Sequence, residues 1–364
     1  MSAPRVLMTA DSVGGVLSYA EDLCRGLSLA GADVLLAVMG GRLTPEQRAP
    51  FEALANVRVE DSDYALEWME EPWPDVAKAG TWLLELAEGF DPDVVHLNGY
   101  AHATLAWPCP TLVVGHSCVS SWFEAVHGGP LPFRFARYER AVRAGLRAAD
   151  AIVAPSRFMA DALERHYGPI PEPRVVPTGI WIEDYTPKAK EPFVLAAGRL
   201  WDEAKNVALL ADLAPRLPWR VVLAGETDEG ALPDGVEALG KLGRSALREV
   251  MSRASIFAHV ARYEPFGLAP LEAAASGAAL VLSDIPTFRA LWSSASVQVS
   301  PRDGAALARE INALIRATDR RAALGARAID RARRFHARTQ TEHYLALYEE
   351  LRARTARRRE RRAG

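Results

Sequence analysis

At 364 residues the chain is long enough for two domains of ordinary size, and its 49% apolar and 24% charged residues are those of a globular protein. A net charge of −3 gives no global electrostatic case for nucleic acid, so none is expected as a partner. No run approaches the roughly 20 apolar residues needed to span a bilayer, and Cys24, Cys109 and Cys118 have no metal-type spacing, which fits buried thiols in a reducing cytoplasm.

The first elements alternate. Arg5 to Ala10 predicts a buried strand, after too short an apolar run for a signal peptide. The loop DSVGG carries Gly14 and Gly15 ahead of a helix, on which Val16, Ala20, Leu23 and Leu27 share a face, and Val34 to Met39 is a second strand. Glycines in such a loop let backbone approach a ligand closely. No GxGxxG stands at a strand–helix junction, which argues against a nicotinamide or flavin domain. NVRVE predicts a strand and TWLLELAEGF a helix. Val94 to Leu97 and Thr111 to Val114 are further strands, followed by Asn98 and His116. With Asp11 after the first strand, three strand ends carry polar groups on the edge where open α/β sheets bind ligands. His96, inside its strand, reads as a core histidine; His116, just past a strand end, is the better candidate for chemistry. Leu131 to Ala149 predicts a long helix with an arginine-rich solvated face. A strand at Ala151 to Ala154 leads to a helix opened by Ser156 as N-cap. A Pro-flanked KAKEP segment places the domain boundary near residues 180–192.

The alternation restarts at Phe193 to Ala197. Arg199 and Lys205 follow, six apart in a strand-to-helix loop, where they are placed to clamp a diphosphate. VALLADLAPRL is the predicted helix and WRVVLAGE the next strand. VEALGKLG, a helix ending near Arg253, and the apolar run ASIFAHVA come next. The stretch EPFGLAPLEAAASG sets Glu264 just outside a short helix and Glu272 about one turn inside it, with Gly277 ending the helix. A rise of 1.5 Å per residue puts their backbones on the order of 10–12 Å apart. The N–H groups of Phe266, Gly267 and Leu268 lie between them and favour an anion. Two carboxylates flanking an anion site match the layout of a nucleotide-sugar: polyol, diphosphate, polyol. AALVLSD is a further strand. Helices are expected at 304–317, 319–334 and 338–355, the last able to pack back across the domain junction. The tail ARTARRRERRAG reads first as frayed and solvated, with weak peripheral membrane contact as the alternative.

In this order the pieces resemble the GT-B fold glycosyltransferases of family 4, the large retaining group. GRL with Lys205-Asn206, EPFGLAPLEAAASGAALVLSD, the GGV loop and VVPTGIWIEDYTP carry the resemblance, which runs from about residue 5 to 352. It implies an α/β fold of two Rossmann-like doubly wound domains facing across a cleft: an acceptor-side domain at 1–182, a donor domain at 193–340, and a crossover helix with basic tail at 341–364. It implies transfer of a hexose from a nucleoside-diphosphate sugar, expected to be a uridine nucleotide, to an acceptor hydroxyl, with retention and without metal or other cofactor. By similarity Arg199 and Lys205 neutralise the departing diphosphate, helped by the Gly267 and Leu268 N–H groups beside Phe266. Glu272 holds the ribose, Glu264 the sugar hydroxyls, and the loop at Gly240 to Leu242 the base. Gly14 and Gly15 approach the phosphates, and His116 lies near the transferred sugar and the acceptor.

Three departures fall on the acceptor side. His96-Leu97-Asn98 stands where the family often has His-x-His, His116-Ser117 where it often has His-Asp, and Pro177-Thr178-Gly179 where Pro-Asn-Gly is usual. They leave the acceptor class open between lipid, polysaccharide end and small metabolite. Trp122, Phe123 and Phe133 hint at an apolar acceptor or membrane contact. Asp61-Ser62-Asp63 and Asp91-Pro92-Asp93 resemble metal-binding strings of another transferase fold but read as surface turns. The alternatives are a non-catalytic nucleotide-sugar-binding subunit and a nucleotide-sugar epimerase of the same fold. The set Arg199, Lys205, Glu264 and Glu272 argues against the first.

Overall fold

The computed structural model describes residues 3–226 and 232–363, with side chains as far as 357. It comprises two compact units, one of Met1–Glu124, Gly129–Gly179 and Ala337–Gly364, the other of Ala125–Gly128 and Ile180–His336. Each is an α/β domain around a wholly parallel sheet.

In the first unit the strands are β1 (Arg5–Asp11), β2 (Asp33–Met39), β3 (Val57–Asp61), β4 (Val94–Leu97), β5 (Thr111–Val114), β6 (Ala151–Ala154) and β7 (Arg174–Val175). Their order is β3-β2-β1-β4-β5-β6-β7. The inner strands are buried along nearly every residue, as a parallel sheet covered on both faces requires. Chain order reverses between β1 and β4, where Met8 pairs with His96. That reversal opens a crevice at the carboxyl edge, where Asp11 ends β1 and Asn98 and His116 follow β4 and β5.

The second unit repeats the plan with β8 (Glu191–Ala197), β9 (Arg220–Ala224), β10 (Val236–Gly240), β11 (Ala254–His259), β12 (Ala279–Ser283) and β13 (Ser296–Val299). The order is β10-β9-β8-β11-β12-β13, reversing between β8 and β11. Gly198-Arg199 leave one of those two strands, and His259 ends the other.

Helix Ala337–Ala363 belongs to the first unit and packs on helix Gly15–Leu29. Tyr344, Leu347, Tyr348 and Leu351 are buried there, each leucine contributing about 1.5–3 kcal/mol. Gly26 allows the approach: a Cβ on it would lie 2.0 Å from Thr341 Oγ1.

Several elements differ from the sequence expectation. The helix expected from Thr81 begins at Trp73, with Pro74 in its first turn, where proline's missing N–H costs nothing. The helix expected over 131–149 spans only Ala136–Ala148, after a 3-10 turn at Phe133–Phe135 that follows Pro132. VALLADLAPRL breaks after Val207–Ala211, and a 3-10 turn takes up Ala214–Arg216, because Pro215 has no N–H to continue the ladder. Strand β13 and helix Pro286–Trp292 had no counterpart in the sequence reading. The tail is helical to Ala363 rather than frayed; Gly364 lies outside the described residues. Ser156 caps its helix as expected, accepting from Met159 N at 3.2 Å.

Candidate active site

In the second unit, two of the charged residues singled out in the sequence, Lys205 and Glu264, meet at the reversal between β8 and β11, while Arg199 and Glu272 have other partners. The chain leaves β8 through Gly198 and Arg199, passes a 3-10 turn at Glu203–Lys205, and starts a helix at Val207. Asp202 caps that turn by accepting from Ala204 N at 3.0 Å. Its second oxygen accepts from Arg199 Nη2 at 3.1 Å, and the guanidinium lies 5.5 Å from the Trp201 ring centre. Asn206, left-handed at φ 55°, donates from Nδ2 to the carbonyls of Val260 and Pro301. The loop is therefore stitched to the β11 end at Asn206, and Lys205 beside it is directed at Glu264.

Lys205 Nζ donates to Glu264 Oε2 at 2.7 Å, and His259 Nε2 lies 3.1 Å from the same oxygen. Burial opposes charge on Glu264, yet Lys205 and His259 together hold its carboxyl well below the ordinary range. Burial pushes the His259 ring down as well, Lys205 adding to this against the pull of Glu264, so the ring is neutral at physiological pH. A neutral ring that meets a carboxylate through Nε2 carries its proton there.

Three residues after Glu264, the backbone turns at Gly267, φ 100° and ψ 70°, which serves as N-cap of helix Leu268–Ala275. A Cβ at that position would lie 2.9 Å from Phe288 Cε1, so both dihedral and space call for glycine. Among the described residues no side chain caps this helix, so its first N–H groups can turn to solvent or a ligand. Phe266 is buried against Phe335 and contributes packing to this turn. Glu272 is buried one turn inside, where Tyr185 Oη donates to its Oε1 at 2.8 Å and Arg244 Nε stands 3.8 Å away. Leu242 is half-buried against the same core, after Gly240 at the end of β10.

The first unit brings together Asn98 and His116 at its own reversal. Asn98 N–H donates to Thr9 Oγ1 at 2.9 Å, and Nδ2 donates to Thr9 O at 2.6 Å. This turns Oδ1 toward His116, whose Nε2 is 2.7 Å away. Nε2 must therefore be the protonated nitrogen and Nδ1 the acceptor. Burial pushes His116 down to about 4, so it is neutral at physiological pH. Tyr19 packs edge-on against its ring at 4.5 Å. His96 is a core histidine, fully buried, with Tyr348 Oη 2.6 Å from Nδ1. Gly14 is N-cap of helix Gly15–Leu29, again without a side-chain cap.

Trp122 and Phe123 are half-buried, and Phe133 is 92% exposed. Asp61 is held by Arg42 and Arg48, Asp63 by Arg42, and Asp93 accepts from Arg5 N. Among the described residues no group of three or more His, Cys, Asp or Glu could hold a metal ion, and no helix is long and apolar enough to cross a membrane.

Two family models match this chain: Glycosyltransferase Family 4 over residues 13–184 and Glycosyl transferases group 1 over residues 179–331. The chain belongs to the family 4 glycosyltransferases. As a member of that family it is a glycosyltransferase that uses a nucleotide-sugar donor, and its two parallel-sheet domains are the GT-B fold. Glycogen synthase of Mycobacterium tuberculosis strain H37Rv is 27% identical over 344 residues, 83% of each chain. A GDP-mannose:cellobiosyl-diphosphopolyprenol alpha-mannosyltransferase of Xanthomonas oryzae is 29% identical over 54% of this chain and 57% of its own. Among solved structures, sucrose-phosphate synthase from Thermosynechococcus elongatus superposes with a TM-score of 0.81 at 19% identity, over 96% of this chain and 99% of that one. Anabaena HepE in complex with UDP-glucose does so with a TM-score of 0.77 at 18% identity, over 96% and 100%.

For this glycosyltransferase, the sequence reading missed His259, Asp202, Tyr185 and Tyr348. Of these only His259 left a local signal, a polar residue ending an apolar strand two residues after Phe257.

Proposed function

We propose that this glycosyltransferase moves a hexose from a nucleoside-diphosphate sugar to an acceptor hydroxyl with retention of anomeric configuration and without a metal ion. The observation that carries the reading is the Lys205–Glu264 pair at the reversal of the second sheet. Glu264 stands four residues before an uncapped helix that buries Glu272 one turn in. Arg199 and Lys205 supply positive charge for the diphosphate as it departs, and the N–H groups of Gly267 and Leu268 add aligned dipoles. Glu264 accepts from sugar hydroxyls and Glu272 from the ribose. Leu242 contacts the base, and Gly14 and Gly15 the phosphates. Asn98 and His116 serve the acceptor side. His116 is neutral with a bare Nδ1, and so acts there as a hydrogen-bond acceptor for a hydroxyl.

The donor is read as a uridine nucleotide sugar. HepE binds UDP-glucose and shares the fold, while the mannosyltransferase relatives name GDP-mannose. Both enter the test. Donor hydrolysis is followed across UDP-, GDP- and ADP-sugars for wild type, Glu264→Ala and Arg199→Ala. Slow nucleotide release from one or two donors, lost in both variants, is the expected result. Tight binding without release, and no turnover with added acceptors, would instead make the chain a binding subunit.

A further inference from the structure

Both donors to Glu264 converge on one oxygen. Lys205 Nζ and His259 Nε2 reach Oε2 at 2.7 and 3.1 Å, whereas Oε1 has no hydrogen-bond partner among the described residues. The carboxylate is only 12% exposed, so this asymmetry is built into a tightly packed site. Of the two donors, Lys205 is a flexible point charge that an arriving diphosphate competes for. His259 has no such freedom. Its backbone is held in β11, where it pairs with Leu282 of β12. Its ring lies parallel to Phe257 at 6.2 Å and edge-on to Phe288 at 5.7 Å. Phe288 in turn abuts the backbone at Gly267.

We propose that His259 is a positioning residue for Glu264: its Nε2–H fixes Oε2 so that Oε1 is offered to hydroxyls of the donor sugar, and it keeps that hold when Lys205 turns to the diphosphate. The inference rests on the donor-site reading above and adds a residue to it. Without His259, a lysine drawn to the phosphates leaves Glu264 buried with no donor. The carboxylate must then reorient or draw the lysine back, and either response spoils the sugar contact.

The separating measurement is calorimetric binding of UDP against UDP-glucose, GDP against GDP-mannose and ADP against ADP-glucose. Wild type is compared with His259→Leu, which keeps the apolar contacts, and His259→Gln, whose amide nitrogen stands where Nε2 does. For whichever pair the wild type binds, His259→Leu is expected to lower affinity for the nucleotide-sugar about tenfold or more. Nucleoside diphosphate affinity stays unchanged, and His259→Gln restores most of the loss. Equal losses for both ligands, no loss for either, or a glutamine variant no better than leucine would overturn the proposal while leaving the donor site standing. Thermal unfolding of each variant in the wild-type range excludes a folding defect as the cause. A wild type that binds none of the three pairs would overturn the donor reading itself, a result distinct from a sugar-blind leucine variant.

Discussion

The two sheet reversals are built alike and furnished differently. In the second unit the crevice edge is charged: Arg199 on Asp202, Lys205 on Glu264, Arg244 near Glu272. In the first unit Asp11 ends β1, but the hydrogen-bonded side chains at the corresponding reversal are neutral. Asn98 links Thr9 to His116, and behind them lie Tyr19, His96, Tyr344 and Tyr348, all buried. A diphosphate arrives with charge to be met and leaves with more, so fixed opposite charge is worth most there. A hydroxyl acceptor brings none, and oriented dipoles suffice. The contrast gives each half a different sensitivity: the second unit's function should respond to loss of charge, the first unit's to its introduction.

The largest effect expected is therefore from Lys205→Met. It removes the cation while keeping a similar stem, and kcat is expected to fall about 10²–10³-fold, as for loss of one preorganised stabiliser of developing charge. Initial rates with the donor found in the hydrolysis screen check this. A loss smaller than tenfold would mean that Lys205 serves only to neutralise Glu264.

The converse change is Asn98→Asp. It puts a carboxylate where an amide now donates to Thr9 O at 2.6 Å, so two oxygens face each other in a buried place. Urea unfolding is expected to show a loss of about 1–3 kcal/mol. The new charge next to His116 also raises that ring's pKa, and its imidazole signals should titrate at higher pH than in wild type. An unchanged titration would contradict the neutral assignment of this edge.

These outcomes bear on what could be read in advance. The charged site was legible because charge and spacing are local: Arg199 and Lys205 flank one loop, Glu264 and Glu272 one turn and helix. Strand alternation was legible for the same reason. At the neutral site Asn98 and His116 were named, but the partners that orient them were not. His96 looks like any core histidine until Tyr348, 252 residues away, closes on its Nδ1. Asn98 reads as a departure from a family pattern until Thr9 fixes its amide. The first pairing is set by the return of the C-terminal helix and the second by β1 lying beside β4, and no window of sequence holds both partners of either. Proline was the commonest cause of misplaced helix ends, at Pro74, Pro132 and Pro215.

Acid sharpens the contrast further. Burial pushes His96 down to about 3, with the neighbouring His116 acting in the same direction, whereas in the unfolded chain a histidine titrates near 6.5. As pH falls below 6.5 the unfolded state gains a proton that the native state refuses, so stability declines. The slope reaches about 1.4 kcal/mol per pH unit for this one histidine. Full stability is present above 6.5. Between pH 4.5 and 6.5 most carboxylates stay ionised in both states, and buried Glu67, whose carboxyl pKa is raised by burial, acts in the opposite direction, so the histidine contribution is read from the difference between wild type and a variant. His96→Leu, lower at its plateau, should show a shallower slope. An equal slope would place the acid sensitivity elsewhere.

The smallest effect expected is at the surface of the first unit, where charge also occurs. Arg174 reaches Glu350 of the C-terminal helix through both terminal nitrogens, at 2.6 and 2.8 Å, with side chains 45% and 33% exposed. The geometry is bidentate, but solvent screens the pair and two long side chains are held by it, so Arg174→Ala should cost no more than about 1 kcal/mol. Tyr348→Phe, which removes one hydroxyl from the same helix, should cost about 1–3 kcal/mol, because His96 Nδ1 is left buried without its partner. Chemical denaturation of the two variants side by side decides which holds the helix. Tyr348→Phe as the costlier change, and insensitive to 0.5 M salt, fits a first unit fastened by buried dipoles, since roughly 0.5 M salt screens only exposed charge. The reverse ranking, with Arg174→Ala costlier and salt erasing the difference, would mean that this unit too depends on charge, and that the contrast between the two halves ends at the crevice edges.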